Sequence, residues 1–555
     1  MDDRPMRKSE DIVATQEEAP IIGADGKSIR RQQKFGGRRS VWPGALALIV
    51  GISAAIGALV YWGTYEHKQM LARQPNAADQ AAIYGSGHTI TDGSNSSVPV
   101  AEDIAITNPI SYKDMGCAQI NFLSKKNQIY TVSKGVETPF RIKGVNWLGL
   151  EGWDHVITGL WDGPRDGNTL YRIAKFLSNN KFNAVRLPVD VFTASVNNPV
   201  QPNFNTNSQR ALAMVKNYTD QIRLIAEGLG QFNIAVVLDF NTRSGLDDLN
   251  ATDHSVIALE NRKSSDGDDG LTGNGWFSNH VSQVEYNNAV KNLASVLCDS
   301  KHWNVMGIDI KDAPAGAAGL WDGEEKTSWQ KFASGMAQTI TKACPSWVVF
   351  AQGLNGNANF PNGDLPRSVP NPFGSNLVGA LTTPITAGTA QKIVYAPRFW
   401  GPSVYPAPYF YKSSTGLSML SKFTEFGAQS DMTASVQKAM TTIFGDLLGQ
   451  QDAAVVLSSF GSLYGSEDAH PGNSSTMAVN AMIAQMTGSG KTLAGGFWWS
   501  LNPDNNWAHP APDSDKSIAS GLLDTTWRSG NPNNLAATKL MDAMPGLAPL
   551  PCDPR

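Results

Sequence analysis

The sequence predicts an α/β fold, a (β/α)8 TIM barrel preceded by a single N-terminal transmembrane helix. Three observations carry this expectation. Eight short apolar runs, bounded by turn residues, alternate with helical stretches over most of the 555 residues. The runs are continuously apolar rather than alternating, as in parallel strands buried on both faces. Near the N-terminus, an uncharged stretch is long enough to cross a bilayer.

That stretch runs from Val41 to Tyr65 and would extend roughly 37 Å as a helix, at about 1.5 Å per residue. Trp42 and Trp62 lie near its ends, where amphipathic rings favour the interface. Lys27, Arg30, Arg31, Lys34, Arg38 and Arg39 precede it, whereas only Lys68 and Arg73 follow closely. The positive-inside rule therefore puts residues 1–40, a polar and disordered tail, in the cytoplasm, and the rest of the chain outside it. A cleaved signal peptide would have a shorter polar lead and a shorter apolar run. Residues 66–107, rich in Ala, Gly, Ser, Asn and Gln, read as a flexible linker to a folded body over 108–555.

The expected strands of that body are Arg141–Asn146, Asn183–Val189, Ile234–Phe240, Val305–Lys311, Val348–Leu354, Ile393–Phe399, Ala454–Gly461 and Gly495–Asn502. Helices are expected over Thr169–Asn179, Gln209–Leu229, Val284–Cys298 and Ser328–Lys342. Ahead of the first strand, Gln119–Asn121 and Gln128–Thr131 around Lys125-Lys126-Asn127 read as a hairpin plugging the barrel floor. Cys117 and Cys552 bracket the body, and Cys298 and Cys344 bracket one unit within it. Among the three possible connectivities, the pairing Cys117–Cys552 and Cys298–Cys344 follows that bracketing. A net charge of −4 gives no reason to expect nucleic acid as a partner. Neither the four cysteines nor the eight histidines have metal-site spacing, and no cofactor is expected.

In such a barrel, function sits at the C-terminal strand ends. Those ends read Gly144-Val-Asn-Trp-Leu-Gly-Leu-Glu151, Asn183-Ala-Val-Arg-Leu-Pro188, Tyr395-Ala-Pro-Arg-Phe-Trp-Gly-Pro-Ser-Val-Tyr405 and Phe497-Trp-Trp-Ser-Leu-Asn-Pro503. In order and spacing they resemble glycoside hydrolase family 5, the cellulase-like barrels, over roughly residues 110–530. The resemblance implies retaining hydrolysis by two glutamates, an acid/base ending strand 4 and a nucleophile ending strand 7, about 5 Å apart. Here Val305-Met-Gly-Ile-Asp-Ile-Lys-Asp-Ala-Pro-Ala-Gly316 puts Ala313 at the acid/base position, beside Asp312. Val455-Val-Leu-Ser-Ser-Phe-Gly461 puts Ser459 at the nucleophile position. Asn241 stands for the family's histidine after strand 3, and Arg398-Phe399-Trp400 for its His-x-Tyr pair after strand 6.

The expected function is thus a membrane-anchored pseudo-glycosidase. It would bind a β-linked polysaccharide or oligosaccharide through Arg186, Asn146, Trp147, Trp499, Trp400 and Tyr405 without cutting it. A bacterial inner-membrane anchor with a periplasmic barrel would suit exopolysaccharide or cellulose synthesis or export, beside a synthase/export complex. An Arg186–Asp312 or Arg398–Asp312 pair would fill the space the acids left. The rival expectation is an active endoglucanase-like enzyme or transglycosylase using relocated carboxylates, from among Glu467, Asp468, Glu151, Asp154, Asp309 and Asp239. A third is a filled mouth whose loops dock on another membrane protein. Trp153, Trp161, Trp276, Trp321 and Trp507 are loop aromatics that could extend a cleft or simply pack.

Overall fold

The computed structural model describes residues 112–152, 154–160, 167–199, 215–241, 281–314, 321–323, 328–358, 369–414, 423–488, 492–507 and 517–555, with positions 50–53, 57, 64, 89–91 and 97–99. The chain divides into two units, Met1–Gln74 and Pro75–Arg555. Of the expected membrane span, residues 50–53, 57 and 64 are described, and all are helical. Among the described residues, no helix is long and apolar enough to cross a membrane. The tail 1–40 lies outside the described residues. Within the expected flexible linker, Thr89–Thr91 pairs antiparallel with Ser97–Pro99.

The second unit contains the barrel. Its strands are β1 (Ile142–Asn146), β2 (Ala184–Asp190), β3 (Ala235–Asn241), β4 (Val305–Asp309), β5 (Val348–Ala351), β6 (Ile393–Tyr395 and Arg398–Trp400), β7 (Leu457–Gly461) and β8 (Gly495–Trp498). All neighbouring pairs run parallel. β6 departs from the single strand expected over Ile393–Phe399. It breaks at Ala396-Pro397, where proline has no N–H to give the ladder. Its first half pairs with β5 and its second with β7. Bonds from Tyr395 N to Ala454 O (2.9 Å) and from Val456 N to Tyr395 O (2.9 Å) close the ring.

Side chains alternate across each strand, so inward positions recur every second residue. Ala184, Ala235, Val237, Val348, Phe350, Val394, Ala396 and Val456 build an apolar interior, while Val185, Leu187, Val236, Leu238 and Val349 pack outward beneath the helices. One step further along the inward series come Arg186, Asp239, Gln352 and Arg398. The barrel interior is apolar below and charged at its mouth.

The helices begin close to where the sequence placed them. Thr169 caps Leu170–Asn179 and Ser328 caps Trp329–Ala343. Ser282 and Glu285 form a reciprocal capping box on Gln283–Leu297. The expected Gln209–Leu229 helix is observed as Tyr218–Gly230; residues 209–214 lie outside the described residues. The floor plug has three antiparallel strands rather than two: Asn121–Lys125, Gln128–Ser133 and Val136–Phe140. Its first turn puts Lys126 and Asn127 at φ 52° and 58°, the left-handed geometry a tight hairpin needs. Phe122, Ile129 and Phe140 enter the apolar interior from below. The disulfides are Cys117–Cys552 and Cys298–Cys344, as the bracketing suggested.

Candidate functional site

The barrel register builds the mouth. It sets Asn146 beside Arg186, Asp239 beside Asp309, and Arg398 beside Ser459. Arg186 is the hub. Its Nη1 donates to Asn146 Oδ1 at 3.0 Å and its Nη2 to Asp309 Oδ2 at 2.8 Å. The same Nη2 lies 2.7 Å from Asp239 Oδ1 and 3.5 Å from Asp312 Oδ1. Arg398 forms an ion pair with Asp312, so both pairings expected for Asp312 occur together. Gln352, just past β5, bridges the cluster to the strand-4 end. Its Nε2 donates to Asp309 Oδ2 at 3.0 Å, and its Oε1 accepts from Ala313 N at 3.0 Å.

Nearly all of this is sealed from solvent; Asp312, with 7% of its side chain exposed, is the most accessible charge in the cluster. Burial pushes Asp239 up to about 7, against the attraction of Arg186 and with further help from the Asp309 charge. Burial raises Asp309 as well, opposed by Arg186. The Asp239–Asp309 pair therefore retains a proton toward neutral pH, and two guanidiniums then face about two negative charges. These aspartates sit as counter-ions inside a salt-bridge network.

The two positions that the sequence singled out, Ala313 just past β4 and Ser459 on β7, carry a methyl and a hydroxyl. Ala313 is 5% exposed, with φ 38°. Ser459 is fully buried, and its hydroxyl has no hydrogen-bond partner. Asn241 is half-buried at the end of β3, next to Asp190 in register.

The aromatic candidates divide. Trp147 is not at the mouth surface: it is fully buried in the layer under the helices, its Nε1 donating to Thr158 O at 2.8 Å. Trp400 and Trp499 meet edge to face at 5.4 Å and join Leu148, Val404, Leu463 and Trp507 in a separate cluster. Half-buried Tyr405 and Ile518 pack on it. Trp499 Nε1 bonds to Asn505, and its peptide to Ser500 is cis. Trp507 Nε1 donates to Ser520 O at 3.0 Å. Trp321 is half-buried and donates to Thr383 O at 2.8 Å. Trp153, Trp161 and Trp276 lie outside the described residues.

The loop carboxylates have structural partners. Glu467 accepts from Ser520 Oγ at 2.6 Å and Asn531 Nδ2 at 2.8 Å. Asp468 accepts from Thr476 N at 2.7 Å and His470 N at 3.0 Å. Glu151 accepts from Gly149 N at 2.8 Å, and Asp154 accepts from Val156 N at 3.3 Å. Among the described residues, no three His, Cys, Asp or Glu side chains are grouped to hold a metal ion. Sequence reading missed Gln352, although a glutamine ending an apolar run was a visible signal. Gly374, where a Cβ would come 3.4 Å from Ala313 Cα, had no such signal.

Known proteins share this architecture. The profile described as cellulase (glycosyl hydrolase family 5) matches residues 137–505. The major extracellular endoglucanase of Xanthomonas campestris pv. campestris is 24% identical over 372 residues, covering 66% of this chain and 62% of the relative. An endoglucanase of Paenibacillus polymyxa is 24% identical over 278 residues, 50% of this chain and 59% of the relative. The chain thus spans about three-fifths of the length of these curated relatives. Among solved structures, an endocellulase from Pyrococcus horikoshii in complex with cellotetraose has a TM-score of 0.55 at 23% identity, covering 77% of this chain and 99% of that one. The catalytic domain of the Xanthomonas endoglucanase has a TM-score of 0.55 at 21% identity, covering 76% and 99%. At these identities the structural likeness speaks for the fold. With the profile matching more than half of the chain, the protein belongs to the cellulase family, glycosyl hydrolase family 5.

Proposed function

We propose that the protein is a membrane-anchored pseudo-glycosidase that binds a β-linked polysaccharide or oligosaccharide without hydrolysing it. One observation supports this reading: Ala313, just past β4, and Ser459, on β7, stand where the family resemblance implies two carboxyl groups, and the nearby aspartates are tied to Arg186 and Arg398. A general acid contributes about 10²–10⁴ in rate, and a methyl group supplies none of it. Ser459 could act as a nucleophile only with a base beside it, and its hydroxyl has no partner.

The test uses purified full-length protein with cello-oligosaccharides and soluble β-glucan. The expected result is calorimetric binding with no new reducing ends, weakened by about tenfold in Trp499→Ala. Turnover that disappears in Glu467→Gln or Glu151→Gln would overturn it in favour of relocated catalysis.

The proposed anchor is residues 41–65, with residues 1–40 in the cytoplasm and the barrel on the far side of a bacterial inner membrane. Its support is the uncharged run with its asymmetric basic flank. There the barrel would hold or guide nascent polysaccharide beside a synthase or export complex. A periplasmic phosphatase fused after residue 108 should be active; an inactive fusion would refute this topology. One observation favours a second reading, a docking module with a filled mouth: Trp147, Trp400 and Trp499 are 0–4% exposed. Co-purification of a synthase subunit, with no glycan bound, would select it.

A further inference from the structure

The short helix that leaves the mouth after β2 presents a face outside the barrel. Val191–Val196 starts directly after Asp190, the last residue of β2, whose Oδ1 accepts from Thr193 N at 2.6 Å and caps it. Val191, Thr193, Ala194 and Ser195 are buried. Phe192 and Val196, four residues apart and so on one face, are 40% and 45% exposed. The helix is locked against Gln283–Leu297, because Asn292 Nδ2 donates to Ala194 O at 3.0 Å and to Ser195 O at 2.9 Å.

Val284, Asn288 and Asn292 form one row of that second helix, each four residues from the next. Val284 is 67% exposed, and Gln283, Asn287 and Asn288 are exposed beside it. Among the described residues, the folded body has six exposed large apolar side chains, and three of them, Phe192, Val196 and Val284, lie on these two packed helices. Single apolar residues scattered over a surface are ordinary, whereas a cluster on a preformed face marks a contact. Phe192 is also the one exposed aromatic ring among the described residues, while Trp147, Trp400 and Trp499 are 0–4% exposed.

Polarity narrows the partner. Lys291 is the one charged side chain among the exposed residues of Gln283–Leu297, since Glu285 is folded back to accept from Ser282 N at 2.6 Å. An anionic lipid or phosphate-bearing surface calls for several cations together. Amide side chains both donate and accept, as sugar hydroxyls do. An aromatic ring with aliphatic neighbours suits the C–H face of a sugar ring and needs no charge. We propose that Phe192, Val196, Val284, Asn287 and Asn288 form a binding surface for an uncharged β-linked glycan on the β2 side of the mouth, outside the barrel, an inference that rests on the glycan-binding reading above. Such a surface grips glycan without an open mouth.

The test is binding of the full-length protein to insoluble β-1,4-glucan, with calorimetry on soluble β-glucan. Phe192→Ala should weaken both about tenfold. Val284→Lys and Val284→Glu should each weaken them about threefold, whatever the sign of the added charge. Val284 is exposed, so these two variants should keep the wild-type unfolding midpoint. Wild-type affinity in Phe192→Ala and in both Val284 variants would overturn the surface while leaving glycan binding intact. Tightening by Val284→Lys with weakening by Val284→Glu would overturn the uncharged ligand in favour of an anionic one. Failure of the wild-type protein to bind either glucan would remove the glycan reading itself, and the surface with it.

Discussion

At the barrel floor, Phe122, Ile129 and Phe140 of the plug meet Val237, Phe350 and Val456, and the Cys117–Cys552 disulfide closes the body nearby. One or two inward positions higher, the same strands carry Arg186, Asp239, Gln352 and Arg398, with Asp309 and Asp312 completing the set. Both ends are densely buried. The floor gains stability from each apolar atom taken out of water. The mouth gains little from burying charge, because desolvation offsets most of the attraction between ions. Its arrangement is costly to disturb without being strongly stabilising as a whole. The polar groups at the mouth are partners of one another.

The largest effects should separate these two behaviours. Arg186→Met strands Asp239 and Asp309 without their shared cation and should cost about 3–5 kcal/mol in denaturant unfolding. At the floor, Phe122→Ala should cost a similar amount, about 3–5 kcal/mol, through a cavity. Compensation tells them apart. Arg398→Met and Asp312→Asn should each destabilise by about 2–4 kcal/mol, and the double variant by clearly less than their sum. Additive losses would mean that the Arg398–Asp312 pair is not the unit described here.

The two ends should also respond oppositely to pH. Asp239 has its folded pKa raised by burial to about 7. Its stabilising contribution is fully present below the ordinary carboxyl value and is lost as pH rises toward 7. Asp239→Asn should flatten that decline in a melting-temperature profile. At the floor, Lys392 Nζ donates to Asn121 Oδ1 at 2.7 Å and Phe122 O at 2.8 Å, with burial pulling its pKa down to about 8. Its contribution is present above the ordinary lysine value and is lost as pH falls through 8. Stability should therefore climb between about pH 8 and 10.5, and Lys392→Met should abolish that climb. The smallest effect expected is for Ser375→Ala, which removes one buried hydrogen bond to Arg398 O and should cost about 1 kcal/mol.

Much of the fold was legible because buried parallel strands leave long apolar runs. Seven of the eight strands fall inside the expected segments or within a residue or so of their ends, and the eighth is interrupted at Ala396-Pro397. Helix starts were legible at Thr169 and Ser328, whose side chains satisfy free N–H groups, while the helix expected from Val284 begins at Gln283 behind its cap Ser282. The strand-end motifs led to the family, and the family profile matches residues 137–505. The third floor strand was missed because Val136-Glu-Thr-Pro-Phe140 contains a proline and lies mostly exposed, a pattern close to loop.

The sequence by itself determined the order of strands and helices and the absence of glutamate at positions 313 and 459, because these depend on local residue type and spacing. Tertiary structure decided which charges meet. Arg186 finds Asp239 and Asp309 on two other strands, and Asp312 just past the second, only because barrel register and inward alternation align them. It also decided that Trp147 is core, and that Gly374 closes over Ala313 from far along the chain. Contacts of this kind arise from how layers pack, and no local periodicity encodes the distance between residues brought together by closing a ring.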